Sequence, residues 1–189
     1  MSKYSTFWAR FWAGIVDGFV LCPLSLLDSY LSSPNRGSSL LITWTVISCS
    51  AYWIYSVAMI AKRGQTVGKR VAEIQVLDLT EGRIPTLRQA VLRDIGTIVS
   101  SSLLMLFTIY LIVAHRYAAE LQSPSVFLEI LEFANGIWFL LEITTMFLNK
   151  KRRAFHDLIA GTVVVHTSYV SATTGLGLSQ IAQNTNEAP

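Results

Sequence analysis

The segment FWARFWAGIVDGFVL (Phe7–Leu21) is apolar enough for a bilayer, yet it carries Arg10 and Asp17 seven residues apart. A charged side chain at mid-bilayer costs roughly 2.5–3.5 kcal/mol on insertion scales, so such groups face a bundle interior, pair, or titrate. Seven residues is two helical turns, about 10.5 Å along the axis. The two groups therefore share a face, but their charged ends do not meet without reaching. Arg10 can instead snorkel to headgroups. For Asp17 two roles stand open: bridging or capping helices, or carrying ions or protons. Glu142, two turns from the end of another apolar run, and Asp94, at the start of a third, join Asp17 as a candidate ion or proton path.

Other chemistry is less well supported. GQTVGKR (Gly64–Arg70) resembles a phosphate loop, but it has three residues between its glycines where four are needed. Arg70 also stands where a magnesium-binding Ser or Thr belongs. The segment reads better as a turn at the membrane surface built from Gly64, Gln65, Thr66, Gly68 and Lys69, with Lys69 and Arg70 against anionic lipid headgroups. His156-Asp157 lacks the further ligands a metal site needs, and no nucleophile is placed beside a base. No metal, cofactor or enzymatic activity is expected. Asp157 is read as accepting backbone amides or pairing with an arginine. Cys22 and Cys49 lie in apolar runs and are read as small buried hydrophobes.

These residues must be positioned by membrane helices. Of 189 residues, 52% are hydrophobic and only 14% charged, and the mean hydropathy is +0.46. A soluble domain carries more charge. Four runs are long enough to span, residues 11–30, 40–61, 95–114 and 130–148. Asp17 interrupts the first and no small-x-small site follows it, so it is expected to be an uncleaved span and not a signal peptide. The net charge of +3 forms no stripe on a soluble face, and nucleic acid is not an expected partner. Thirteen of the fifteen basic residues fall in the N-terminus, the loop 62–93 and the segment after the fourth span. Only Arg36 and Arg116 lie on the other side. The positive-inside rule then puts both termini in the cytoplasm.

Each span has a polar stripe of the kind that marks helix contacts, such as Arg10, Gly14, Asp17 and Gly18 in the first. In the loop, residues 71–77 read as a strand, and Thr86-Leu87-Arg88-Gln89 as a capping box that starts a helix near Leu87. That helix runs into the third span or bends at Asp94. Phe155–Ala160 reads as a helical turn ended by Gly161, and Thr162–His166 as the strand that pairs with 71–77. The fold class is thus an all-α four-helix membrane bundle with a small two-stranded ribbon, over residues 7–167. Residues 171–189 read as a disordered tail.

RFWAGIVD, GQTVGKRVAEIQVLD, LRQAVLRD and FHDLIAGTVVV together resemble the RDD family of bacterial membrane proteins. The family is named for an arginine and two aspartates, and the resemblance assigns these to Arg10, Asp17 and Asp157. Val67 stands where the family has proline. The resemblance implies the bacterial inner membrane and transport, with ion–proton antiport suggested for some members. It leads us to expect an arginine flanked by two aspartates as a charge cluster. A secondary transporter working as a homo-oligomer and a non-transporting assembly or sensor protein, with a membrane partner bound through the basic loop, both fit.

Overall fold

The computed structural model describes residues 3–117 and 125–170. In chain order the elements are α1 (Phe7–Leu31), α2 (Ser38–Arg63), α3 (Val67–Val71), β1 (Ile74–Asp78), α4 (Leu87–Arg93), α5 (Ile95–Val113), α6 (Val126–Leu148), α7 (Phe155–Ala160) and β2 (Thr162–His166). Helices α1, α2 and α5 are long and apolar enough to cross a membrane. The expected fourth span falls inside α6, a 23-residue helix that carries Glu129, Glu132 and Glu142. The expected disordered tail, 171–189, lies outside the described residues.

The long helices turn their bulk outward. Trp8, Phe11, Trp12, Phe19 and Leu26 of α1 are all more than half exposed, and only Ala13 and Asp17 of that helix are buried. This is the arrangement expected of a helix whose solvent is lipid: large apolar groups outside, small and polar groups at the helix contacts. Cys22 is exposed and Cys49 half-buried, so the two cysteines are not core residues as expected.

The apolar core lies at one end, where the short elements gather. β1 and β2 pair antiparallel, from Ile74 opposite His166 to Asp78 opposite Thr162. One face of this ribbon puts Ile74, Val76 and Val164 against Ala13, Val57, Ile60 and Ala90. Its other face packs Leu77, Val163 and Val165 against Tyr4 and Val170. A two-stranded ribbon alone is marginal in water, and here both faces are covered.

The expected strand 71–77 begins three residues late, and the GQTVGK turn is only partly a turn. Thr66 caps a helix by accepting the Lys69 N–H (3.3 Å), so residues 67–71 coil before β1 can start. The turn itself is Gly64, which ends α2 at φ +68°. A side chain there would be strained, and its Cβ would lie 2.7 Å from the Val76 carbonyl oxygen. The capping box at Thr86 and Gln89 is present, and the chain bends at Asp94 between α4 and α5.

Candidate functional site

Asp157 is the centre of the ribbon end. It sits in the first turn of α7 and accepts the Ala154 N–H (3.2 Å), which fixes its carboxylate toward the protein interior. Arg10 of α1 donates to Oδ2 (2.6 Å), and Arg93 at the end of α4 donates to Oδ1 (2.5 Å). The Thr162 hydroxyl of β2 adds a second bond to Oδ1 (3.1 Å), the fourth to this carboxylate. Asp157 is fully buried and Arg93 nearly so. Burial alone would push the Asp157 pKa up, but the Arg10 and Arg93 guanidiniums hold it far below the usual carboxylate range. One carboxylate therefore ties together α1, α4, α7 and β2.

The expected cluster was an arginine between two aspartates. The ion pairs run the other way, an aspartate between two arginines, and Asp17 takes a separate set of partners. Its Oδ2 accepts the Thr66 hydroxyl (2.6 Å), and its Oδ1 accepts the Gly68 N–H (2.8 Å) and the Tyr55 hydroxyl (2.8 Å). The Val67 N–H donates to Tyr55 in turn (2.9 Å). An amide of the kind that a phosphate loop would aim at a nucleotide, that of Gly68, is thus aimed at a carboxylate of α1. Contact is so close that a Cβ on Gly68 would come 2.0 Å from the Ala13 carbonyl oxygen. Gln65 completes the latch by donating to the Ile74 carbonyl (3.0 Å).

A third group adjoins these two. Glu142 Oε1 accepts the Trp138 indole N–H (2.8 Å) and meets His156 Nδ1 at 2.7 Å. His156 Nε2 lies 3.5 Å from Asp157, and both it and Asp94 Oδ2 are buried without a hydrogen-bond partner. A cavity of 550 Å³ opens beside Arg10, Asp17, Lys69, Arg93, Glu142 and His156. A smaller one, 150 Å³, brings Asp94 together with Tyr52, Thr97, Lys69, Glu142 and His156. Lys69, expected at the lipid surface, lines both. Burial and then the neighbouring Arg93 lower its pKa to about 8, with Asp17 and Asp94 opposing. Among the described residues no group of three or more His, Cys, Asp or Glu could hold a metal ion.

The family model described as the RDD family matches residues 4–161. The chain belongs to the RDD family. No curated protein and no solved structure matches it. The family match takes in Arg10, Asp17 and Asp157 and stops one residue short of β2. Together with its apolar helices, it makes this RDD chain a multi-pass membrane protein. Sequence reasoning missed Arg93, Tyr55 and the His156–Glu142 contact in this RDD site. A signal for Arg93 was present: the capping box starts α4 at Leu87, which puts Arg93 in its last turn, one residue before the bend.

Proposed function

We propose that this RDD chain is a four-span inner-membrane protein, with its ribbon and both termini in the cytoplasm, that exchanges a small cation for protons. The distribution of basic residues supports the orientation, since thirteen of fifteen belong to the ribbon side of the spans. One observation carries the exchange reading. Four carboxylates (Asp17, Asp94, Glu142, Asp157) surround or adjoin the two cavities, against three basic side chains (Arg10, Lys69, Arg93). The site is one positive charge short.

His156, between Glu142 and Asp157, supplies that charge when protonated. A monovalent cation beside Glu142 and Asp94 supplies it when His156 is neutral. The two states exclude each other, which is the requirement for exchange. The buried Asp94 Oδ2 and His156 Nε2, which have no hydrogen-bond partner, are the atoms with bonding capacity left for a cation or proton. In this reading Asp17 is the latch for the GQTVGK segment, and the path runs through Glu142 and Asp94. Four helices are few for alternating access, so a homo-oligomer is part of the proposal. Lys62, Arg63 and Arg70, exposed at the same end, would face anionic headgroups.

A second reading, a non-transporting assembly or sensor protein, is favoured by apolar side chains that the ribbon end leaves uncovered, Val71 and Leu87 above all. Purified protein in liposomes with a trapped pH dye separates the two. An imposed proton gradient is challenged with sodium, lithium, potassium and calcium in turn. Cation-dependent collapse of the gradient, lost in folded His156→Gln and Glu142→Gln, is the expected outcome. Asp17→Asn should lower the yield of folded protein together with any activity. A folded but inactive Asp17→Asn would return Asp17 to the proton path. No collapse with any cation would favour the assembly protein.

A further inference from the structure

Away from the ribbon, a third cavity of 640 Å³ lies between α1, α2, α5 and the start of α6. Its carboxylate is Asp28, three residues from the end of α1. Asp28 Oδ1 accepts the Trp44 indole N–H (2.7 Å) and the Ser32 hydroxyl (2.9 Å). No Lys, Arg or His among the described residues pairs with it. Hydroxyls of Thr45 and Ser48 on α2 and Ser101 on α5 line the same space. Each donates to a carbonyl of its own helix, Leu41, Thr45 and Thr97 respectively, which leaves oxygen lone pairs for an occupant. Ser25, Ser32, Cys49, Thr108 and Tyr117 also line it, and the remaining wall is apolar: Leu24, Leu104, Phe107, Leu111 and Leu128.

We propose that this cavity binds an organic monovalent cation, with Asp28 as its counter-ion and the apolar wall as its seat. A carboxylate in an apolar cavity with no cationic partner from the chain favours a positive occupant over a neutral or negative one. The volume falls within the range of roughly 300–1,000 Å³ typical of small-molecule sites. A bare metal ion is a poorer fit, because hard cations need a close shell of about six or more oxygens. Here a single carboxylate and scattered hydroxyls share the wall with five leucine and phenylalanine side chains. The Phe107 ring adds an aromatic face suited to a desolvated cation. The inference does not depend on the exchange reading, since it uses different residues at another part of the bundle.

The test is calorimetric titration of the purified full chain in detergent with tetraphenylphosphonium, alongside tetraphenylborate, an anion of the same shape. The cation should bind, and the anion should bind weaker by about tenfold or more. Asp28→Asn keeps an acceptor for Trp44 and Ser32 while removing the charge, and should weaken the cation by about tenfold or more. Leu104→Trp fills the cavity without altering charge and should weaken it too. Equal binding of the two ions, undiminished binding to Asp28→Asn, or no binding of the cation to wild type would each overturn the proposal. If Asp28→Asn does not fold, the two-ion comparison on wild type and Leu104→Trp decides it.

Discussion

The two halves of this molecule treat a carboxylate in opposite ways. At the ribbon end, Asp157 is fully buried and held by two guanidiniums, a hydroxyl and an amide. Around it the ribbon closes an apolar core with α1, α2 and α4. In the third cavity, Asp28 has only a neutral indole and a neutral hydroxyl as donors among the described residues, and the space beside it is open. The lesson is about what holds a small membrane bundle together. Lipid provides no hydrophobic drive between helices, so α1, α2 and α5 gain little by closing tightly on their own. The ribbon end closes because charge pairs, hydrogen bonds and a core of short elements join the helices there.

The sharpest test of that contrast is one substitution made at both places. Asp157→Asn leaves two buried arginines without a counter-ion, and breaking a buried pair in this way costs about 3–5 kcal/mol. Asp28→Asn removes no ion pair and keeps its acceptor oxygen, so its cost should be about 1 kcal/mol or less. Thermal challenge followed by size-exclusion in detergent reads both as the fraction of protein still monodisperse. Equal losses would break the comparison.

Gly68→Ala probes the Asp17 latch by size alone. Its Cβ would press on the Ala13 backbone, and overpacking of this kind costs about 1–3 kcal/mol. The same assay should place it between the two aspartate variants. Gly14→Ala on α1, where an added Cβ meets nothing within 4 Å, should be near neutral and serves as its control.

The smallest effect belongs to the rim of the ribbon end. Glu81 accepts Tyr4 and Lys151 and pairs with Lys3. Burial raises its pKa, but Lys151, Lys3 and Tyr4 outweigh this and hold it at about 2. Because the folded value lies below the ordinary glutamate value, the pairing stabilises the protein fully above about pH 4.5. It is lost as pH falls toward 2. The lysines are partly exposed, so the contribution is discounted to about 1 kcal/mol or less. Glu81→Gln should therefore lower the thermal midpoint slightly at pH 7 and match wild type near pH 2. A deficit that persists at low pH would mean that packing, not charge, is the contribution of Glu81.

Legibility in the sequence followed the range of the interaction. The capping box at Thr86 and Gln89 and the helix stop at Gly161 were readable, because each depends on residues within a few positions, whereas the bend at Asp94 stood as one of two alternatives. The pairing of β1 with β2 was readable despite its distance, because few extended apolar runs were available to pair. The polarity of the charge cluster was not. Arg10 reaches Asp157 across 147 positions and Arg93 reaches it across 64, and no periodicity records which of several arginines will do so. Thr66 as a cap was hidden by the same glycines that made its segment look like a turn.

By itself the chain determined its lipid-facing helices, their stops and caps, and the location of its ionisable residues. Those follow from transfer free energy, backbone sterics and local hydrogen bonds, which act within a few turns of one segment. Only the tertiary structure decided that Asp17 would hold a loop 51 positions away, that Asp157 would lie between two arginines, and that Asp28 would line an open cavity. Those outcomes depend on which helix faces meet. In lipid that choice is set by the few polar and small residues able to bond across helices.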